Sequence, residues 1–187
     1  NKKLMCGIYG CLNFDNKIYD QTSRLVRNQY ESNPYPRWQN PPKCRFKKIE
    51  FSEFLFRAGC KIHDVSNFNK GKKSVLIAGS GTGQQPIALS QVVKNIDIEA
   101  IDLSLSSLAY AKRKTTELNI KNVSYSQMDI LNLKRSKKRY DYIECSGVLH
   151  HMTNPILGLQ ILTDLLNNNG IMKISLYSKF ARQDLKT

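Results

Sequence analysis

Short apolar runs alternate with amphipathic stretches through the second half of the chain. VLIA at 75–78, IEAIDL at 98–103, VSYSQM at 123–128, YDYIEC at 140–145 and IMKISLY at 171–177 are brief and rich in β-branched or aromatic residues, the pattern of buried strands. Helical patterns lie between them. Pro86 falls early in the first, where a missing N–H costs nothing. Ser104 is placed to cap the second, with Leu105, Leu108 and Ala109 facing inward. Asn154 is placed to cap a later helix opened by Pro155, with Leu159, Leu162 and Leu166 inside and Gly170 as its stop. Strands that alternate with helices are joined by right-handed crossovers and lie parallel, so the pattern predicts an α/β fold.

The first 73 residues have a different texture. DQTSRLVRNQYE at 20–31 reads as a helix, capped by Thr22 or Ser23 and ended by Pro34. NPYPRWQNPP at 33–42 carries four prolines in ten residues and is extended or turned. IEFSEFLFRA at 49–58 reads as a second helix, with Gly59 as its stop. The expected organisation is an N-terminal helical and Pro-rich lid segment over 1–73, followed by an α/β core over 74–187.

Composition narrows the setting. The chain has 187 residues, 41% of them hydrophobic, which is enough for a real core. No apolar run approaches the roughly 18 residues that span a bilayer, and no secretory signal opens the sequence, so a cytoplasmic protein without a membrane partner is expected. Cys6, Cys11, Cys44, Cys60 and Cys145 are odd in number and form no C-x-x-C, which argues for free thiols and against a metal site. The formal charge is +14, divided as +9 over residues 1–73 and +5 over the rest. Such a charge favours anionic partners, nucleic acid among them. The lysines are scattered, however, and no stacking-aromatic signature accompanies them, so a solvated basic surface is the preferred reading.

The candidate chemistry lies in SVLIAGSGTGQQPIAL at 74–89. Gly79, Gly81 and Gly83 form G-x-G-x-G directly after the first strand. A dinucleotide fingerprint is G-x-G-x-x-G, and its third glycine position is Gln84 here, so the spacing is wrong for a pyrophosphate turn. No G-K-[ST] follows, which excludes a Walker loop. Asp102 ends the second strand, 19 residues after Gly83, beside the glycine bend in a parallel sheet. A carboxylate there can accept hydrogen bonds from both hydroxyls of a ribose. Capping the next helix is the structural alternative. The expectation is that bare peptide N–H groups at the bend, together with this carboxylate, grip a ribose-containing ligand.

These residues make the chain resemble a class I S-adenosylmethionine-dependent methyltransferase. Asp129 in SQMDIL, the YDYIECSGVLHHM run at 140–152 and LLNNNGIMKISLYS at 165–178 follow in the order that the family shows. YESNPYPRW together with IAGSGTGQQ also resembles methyltransferase domains appended to bacterial tetratricopeptide-repeat proteins, although no repeat is present here. The resemblance implies a Rossmann-like, doubly wound parallel sheet in the order 3-2-1-4-5. It implies that S-adenosylmethionine is the cofactor, with S-adenosylhomocysteine as product. It places Gly79, Ser80, Gly81, Gly83, Asp102, Leu103, Asp129, Ile130 and Ser146 around that cofactor.

The chain also departs from the family. Ile77 stands where family members often carry an acid, and Arg37 or Tyr30 is the expected replacement anchor for the methionine end. The family's sixth and seventh strands have no counterpart, so a truncated domain is expected, with a fifth-strand edge that is covered by self-association, by the leading segment or by the tail. NPYP at 33–36 is similar to the N-P-P-Y turn of amino methyltransferases. Asn33, however, follows a helical pattern, and YDYIECSG already fills the fourth-strand position. Tyr30, Tyr35 and Trp38 are better read as a lid that shapes the acceptor pocket. Methyl transfer from a sulfonium is an in-line displacement that mainly needs alignment. A base is needed only where the acceptor must lose a proton, and His151, then His150, are the candidates, while His63 is read as structural. The expected function is methyl transfer to a small-molecule acceptor. A non-catalytic S-adenosylmethionine- or S-adenosylhomocysteine-binding module and an RNA or protein methyltransferase are the alternatives.

Overall fold

The computed structural model of the protein describes residues 17–40, 47–61 and 65–177. Cys6, Cys11, Cys44, His63 and the tail expected to reach the fifth-strand edge lie outside the described residues. The elements are α1 (Gln21–Ser32), α2 (Phe51–Arg57), α3 (Val65–Phe68), β1 (Lys73–Ala78), α4 (Gln84–Val92), β2 (Ile96–Asp102), α5 (Leu105–Glu117), β3 (Val123–Gln127), a 3-10 turn (Ile130–Arg135), β4 (Tyr140–Ser146), a second 3-10 turn (Leu149–His151), α6 (Pro155–Asp164) and β5 (Leu166–Ser175). All strand pairs are parallel, in the order β3-β2-β1-β4-β5, which is the expected Rossmann-like sheet.

The period of two along each strand divides the core between the two sheet faces. Val75, Ile77, Ile98, Ala100 and Tyr142 belong to one buried cluster, and Leu76, Ala78, Ile101, Ile143 and Cys145 to the other. α2 joins the first cluster. Phe51, 2% exposed, stacks on Phe68 at 5.6 Å and meets Tyr142 edge-on at 6.0 Å. A side chain of this size contributes about 1.5–3 kcal/mol when it is fully buried. The sheet's core therefore begins N-terminal of residue 73, with α2 packed against the sheet and only the segment around α1 near the strand ends.

Two local expectations change. Asp20 caps α1, accepting a hydrogen bond from the Ser23 N–H at 2.7 Å, so neither Thr22 nor Ser23 is the cap. α6 stops at Asp164, well before Gly170. The Tyr140 N–H donates to Leu165 O at 2.8 Å, and Asn167 Nδ2 donates to Asp141 Oδ1 at 3.0 Å, which draws the NNNG stretch into β5. The pairing of β4 with β5 slips there, from Tyr140 opposite Leu166 to Tyr142 opposite Ile171. Gly170 serves close approach instead: a Cβ would lie 2.9 Å from Tyr140 O. Ser104 and Asn154 cap their helices as their positions predict. The outer edge of β5 pairs with no other strand among the described residues.

Candidate active site

A cleft of about 390 Å³ opens at the C-terminal ends of β1, β2 and β4. In an open parallel sheet this is where the crossovers diverge to opposite faces and leave room for a ligand. β1 delivers the glycine bend to one wall. Gly79 has φ +79°, and a Cβ there would overlap Val148, which lies after β4. Gly81 has φ +52°, and a Cβ there would overlap the carbonyl oxygen of Tyr35. The glycines thus let the loop pack closely against protein on two sides.

The N–H groups of this bend are not bare. Gly79 and Ser80 both donate to Ile101 O at 2.9 Å, and Gly83 donates to Ser80 O at 3.0 Å. The Gly81 N–H donates to Asp102 Oδ2 at 2.7 Å, and the Thr82 N–H to Tyr35 O at 3.2 Å. Every backbone N–H from Gly79 to Gly83 is spent inside the protein, which corrects the expectation of free N–H groups awaiting a ligand. Backbone donors seek partners whenever they are buried, and a loop clamped between β2 and residues 35–36 finds them locally.

Asp102 lies in the cleft wall. Its Oδ1 accepts from the Ser104 N–H at 2.9 Å, so it both steadies the glycine bend and opens α5. Burial pushes its pKa above the ordinary carboxylate value, the N–H donors of Ser104, Gly81 and Leu103 act against that, and the nearby Glu31 charge adds to it. A carboxylate has about four lone-pair positions, so acceptor capacity remains towards the cleft. Leu103, Met128, Ile130 and Val148 give the same region an apolar lining. Asp129 also lines it, buried, with Oδ1 accepting from the Leu131 N–H at 3.0 Å. Ser80 and Ser107 line the cleft too; their hydroxyl oxygens are buried and have no hydrogen-bond partner among the described residues. Ser146 donates to the buried Glu144 at 3.2 Å, an acid that Lys173 reaches at 3.0 Å. No Lys or Arg among the described residues lines the cleft, although the chain carries a net +14.

The leading segment forms the outer wall. Tyr30 and Tyr35 line the cleft; Trp38 does not. Its indole N–H donates to Thr82 Oγ1 at 2.9 Å and its ring meets Tyr110 edge-on at 5.5 Å. Thr82 Oγ1 in turn donates to Pro36 O at 2.6 Å. Thr82, between two of the glycines, is thus the pin that fastens residues 35–38 to the bend. Arg37 lies outside the cleft, exposed, with its guanidinium on Asn33 Oδ1 at 3.1 Å.

Beyond β4, His151 lines the cleft and His150 does not. His150 is exposed, its ring 4.1 Å from that of His151 and 4.7 Å from that of Tyr177. Tyr30 Oη lies 3.3 Å from His151 Nε2. Burial lowers the His151 pKa and raises that of Tyr30, with Tyr177, Asp102 and Tyr35 adding to the second shift. The cleft thus gathers Gly79, Ser80, Gly81, Asp102 and Leu103 with Asp129, Ile130 and Ser146, and with Tyr30, Tyr35 and His151. Gly83, Arg37, Trp38 and His150 stay outside it. Sequence reasoning missed Thr82, Ser107, Met152 and Tyr177. Only Thr82, a hydroxyl inside the glycine motif, carried a readable signal.

A protein family described as Methyltransferase domain (Methyltransf_31) matches residues 69–186. The uncharacterized protein syc1184_c of Synechococcus sp. is 30% identical over 117 residues, 62% of this chain and 28% of that protein. The ubiquinone biosynthesis O-methyltransferase of Glaesserella parasuis is 30% identical over 149 residues, 75% of this chain and 59% of that enzyme. The structure of the plantazolicin methyltransferase BpumL in complex with SAH superposes with a TM-score of 0.54 at 28% identity, covering 63% of this chain and 44% of that one. The chain thus spans between 28% and 59% of the length of these two curated relatives. With its sheet order, glycine bend and Asp102 in place, the chain belongs to this methyltransferase-domain family.

Proposed function

We propose that this chain binds S-adenosylmethionine in the cleft and directs its methyl group to a small-molecule acceptor. The single observation that carries the reading is the charge of the cleft. Asp102 and Asp129 line it, and no Lys or Arg among the described residues does, within a chain of net +14. Such a wall suits a cationic ligand. The spent N–H groups of residues 79–83 point the same way, because a pyrophosphate held at such a bend would call for free N–H donors. The SAH complex of BpumL and the O-methyltransferase relative support the assignment.

On this reading the residues fit the cofactor. Asp102 would accept the ribose hydroxyls, and Leu103, Ile130 and Asp129 would hold the adenine. When bound, the cofactor supplies an electrophilic methyl group. The protein's part is to align the acceptor behind that carbon and keep water away. Residues 33–38, pinned by Thr82, act as the lid, with Tyr35 facing the cleft and 60% exposed. An RNA acceptor would meet two carboxylates and, among the described residues, no basic side chain at the cleft, which disfavours it. Free Cys60 and Cys145 support a reducing, cytoplasmic setting. The open outer edge of β5 supports self-association.

A second reading, a non-catalytic binding module, is favoured by Ile77. It is fully buried in the core, and neither it nor Arg37 reaches the methionine end. Calorimetry with S-adenosylhomocysteine tests the cofactor assignment: the protein binds it, and Asp102→Ala weakens binding at least tenfold. No binding by the unaltered chain overturns the proposal. Binding without transfer of labelled methyl to small molecules, RNA or protein leaves the module reading standing and removes the enzymatic one.

A further inference from the structure

The contact between Tyr30 and His151 has no part in the cofactor contacts proposed above. The two side chains come from residues 121 positions apart, one from α1 and one from the turn after β4, and both face the cleft with Tyr30 Oη 3.3 Å from His151 Nε2. Around them the wall is formed by Val26, Tyr35, Met152, Leu176 and Tyr177, which are apolar or aromatic and carry no formal charge.

The geometry points to a two-membered proton relay, Tyr30 Oη to His151 Nε2, that serves an uncharged planar acceptor methylated at a hydroxyl oxygen. This rests on the cofactor reading above. In the relay, Tyr30 donates to Nε2, which places the imidazole proton on Nδ1. An acceptor hydroxyl that donates to Tyr30 Oη completes the line. As an oxygen lone pair forms the new O–C bond, the C–S bond of the sulfonium methyl donor breaks and its electron pair stays on sulfur. The hydroxyl proton moves to Tyr30 as the Tyr30 proton moves to His151. The resulting imidazolium returns its proton to water on the side of the exposed His150. Burial suits the relay at rest: the phenol keeps its proton, and the imidazole keeps its lone pair. The other titratable groups facing the pair are Tyr35, Asp102, Asp129, His150 and Tyr177. A phenol-like ring matches Tyr35, Tyr177 and Met152.

The test uses the whole chain loaded with S-adenosylhomocysteine, and the ring signals of His151 read by heteronuclear NMR. Phenol, catechol and 4-nitrophenol are each compared with their methyl ethers. The expected result is that the phenols shift the His151 signals and the ethers do not. Tyr30→Phe should bind S-adenosylhomocysteine within about twofold of the unaltered chain yet bind the phenols about fivefold more weakly, the loss of one neutral hydrogen bond. It should also change the His151 tautomer signature. Three outcomes overturn the relay: equal responses to phenols and ethers, an unchanged His151 signature in Tyr30→Phe, or a tenfold loss of S-adenosylhomocysteine affinity in that variant, which would make Tyr30 a cofactor anchor. If the unaltered chain fails to bind S-adenosylhomocysteine at all, the cofactor reading itself fails, a separate and recognisable result.

Discussion

Replacing Thr82 with Val removes one hydroxyl and keeps the shape of the side chain, so no cavity confuses the outcome. Thr82 is 2% exposed, and its Oγ1 donates to Pro36 O at 2.6 Å and accepts from the Trp38 indole N–H at 2.9 Å. Two neutral hydrogen bonds at about 0.5–1.5 kcal/mol each give an expected loss of about 1–3 kcal/mol, with the Thr82 N–H to Tyr35 O contact retained. The indole N–H and the Pro36 carbonyl are only partly buried, so water takes up the freed groups and the value falls in the lower half of that range. The loss is local, because these bonds fasten residues 35–38 and not the sheet. Trp38 is the only tryptophan in the chain, so its emission reports this segment alone. The expected result is a red-shifted emission and a Trp38 transition in urea that precedes the loss of far-ultraviolet dichroism. Proteolytic nicking at 35–38 should rise accordingly. Identical emission, coincident transitions and unchanged nicking would show that Thr82 does not pin the segment, and the description of the cleft's outer wall would have to be abandoned.

Gly83→Ala should be costly, since φ is +85° and the added Cβ would lie 2.5 Å from that of Ala111; a loss of about 2–4 kcal/mol is expected in thermal or urea unfolding, and a neutral substitution would contradict the packing described. His151 has a folded pKa below its ordinary 6.5 because burial disfavours the cation. Its contribution is therefore fully present above that value and is lost as pH falls through the folded pKa, so His151→Gln should flatten the acid side of the stability-against-pH curve below about pH 6.5. S-adenosylhomocysteine at a hundred times its dissociation constant should add about 2.7 kcal/mol to unfolding, and a midpoint that ignores the ligand would argue against the cleft as its site.

Much of the fold was legible because strands and caps are written locally. The runs at 75–78, 98–103, 123–128 and 140–145 all became strands, and Ser104 and Asn154 cap where their side chains can reach an N–H. Gly170 misled because its role is close approach to Tyr140 O, a contact made across the sheet, and not a turn that ends α6. The cleft was harder to read. Three glycines announce a bend, but nothing in their spacing tells which carbonyls and carboxylates will take up the loop's N–H groups. Arg37 carries a charge suited to a carboxylate, yet Asn33 lies four residues away and takes it. The pairing of Tyr30 with His151 joins residues 121 positions apart, and no local pattern records it.

The saturated glycine bend has a kinetic corollary. A loop whose donors are already satisfied keeps its shape without a guest, so half of the cleft stands preorganised and contributes little to the entropy lost on association. The strap at 33–38, fastened through Thr82, closes the other side. The bend then governs which molecule is admitted, while the strap sets how quickly it enters and leaves. Inorganic phosphate or sulfate in the buffer should leave both rates untouched, since the backbone N–H groups of residues 79–83 already have partners.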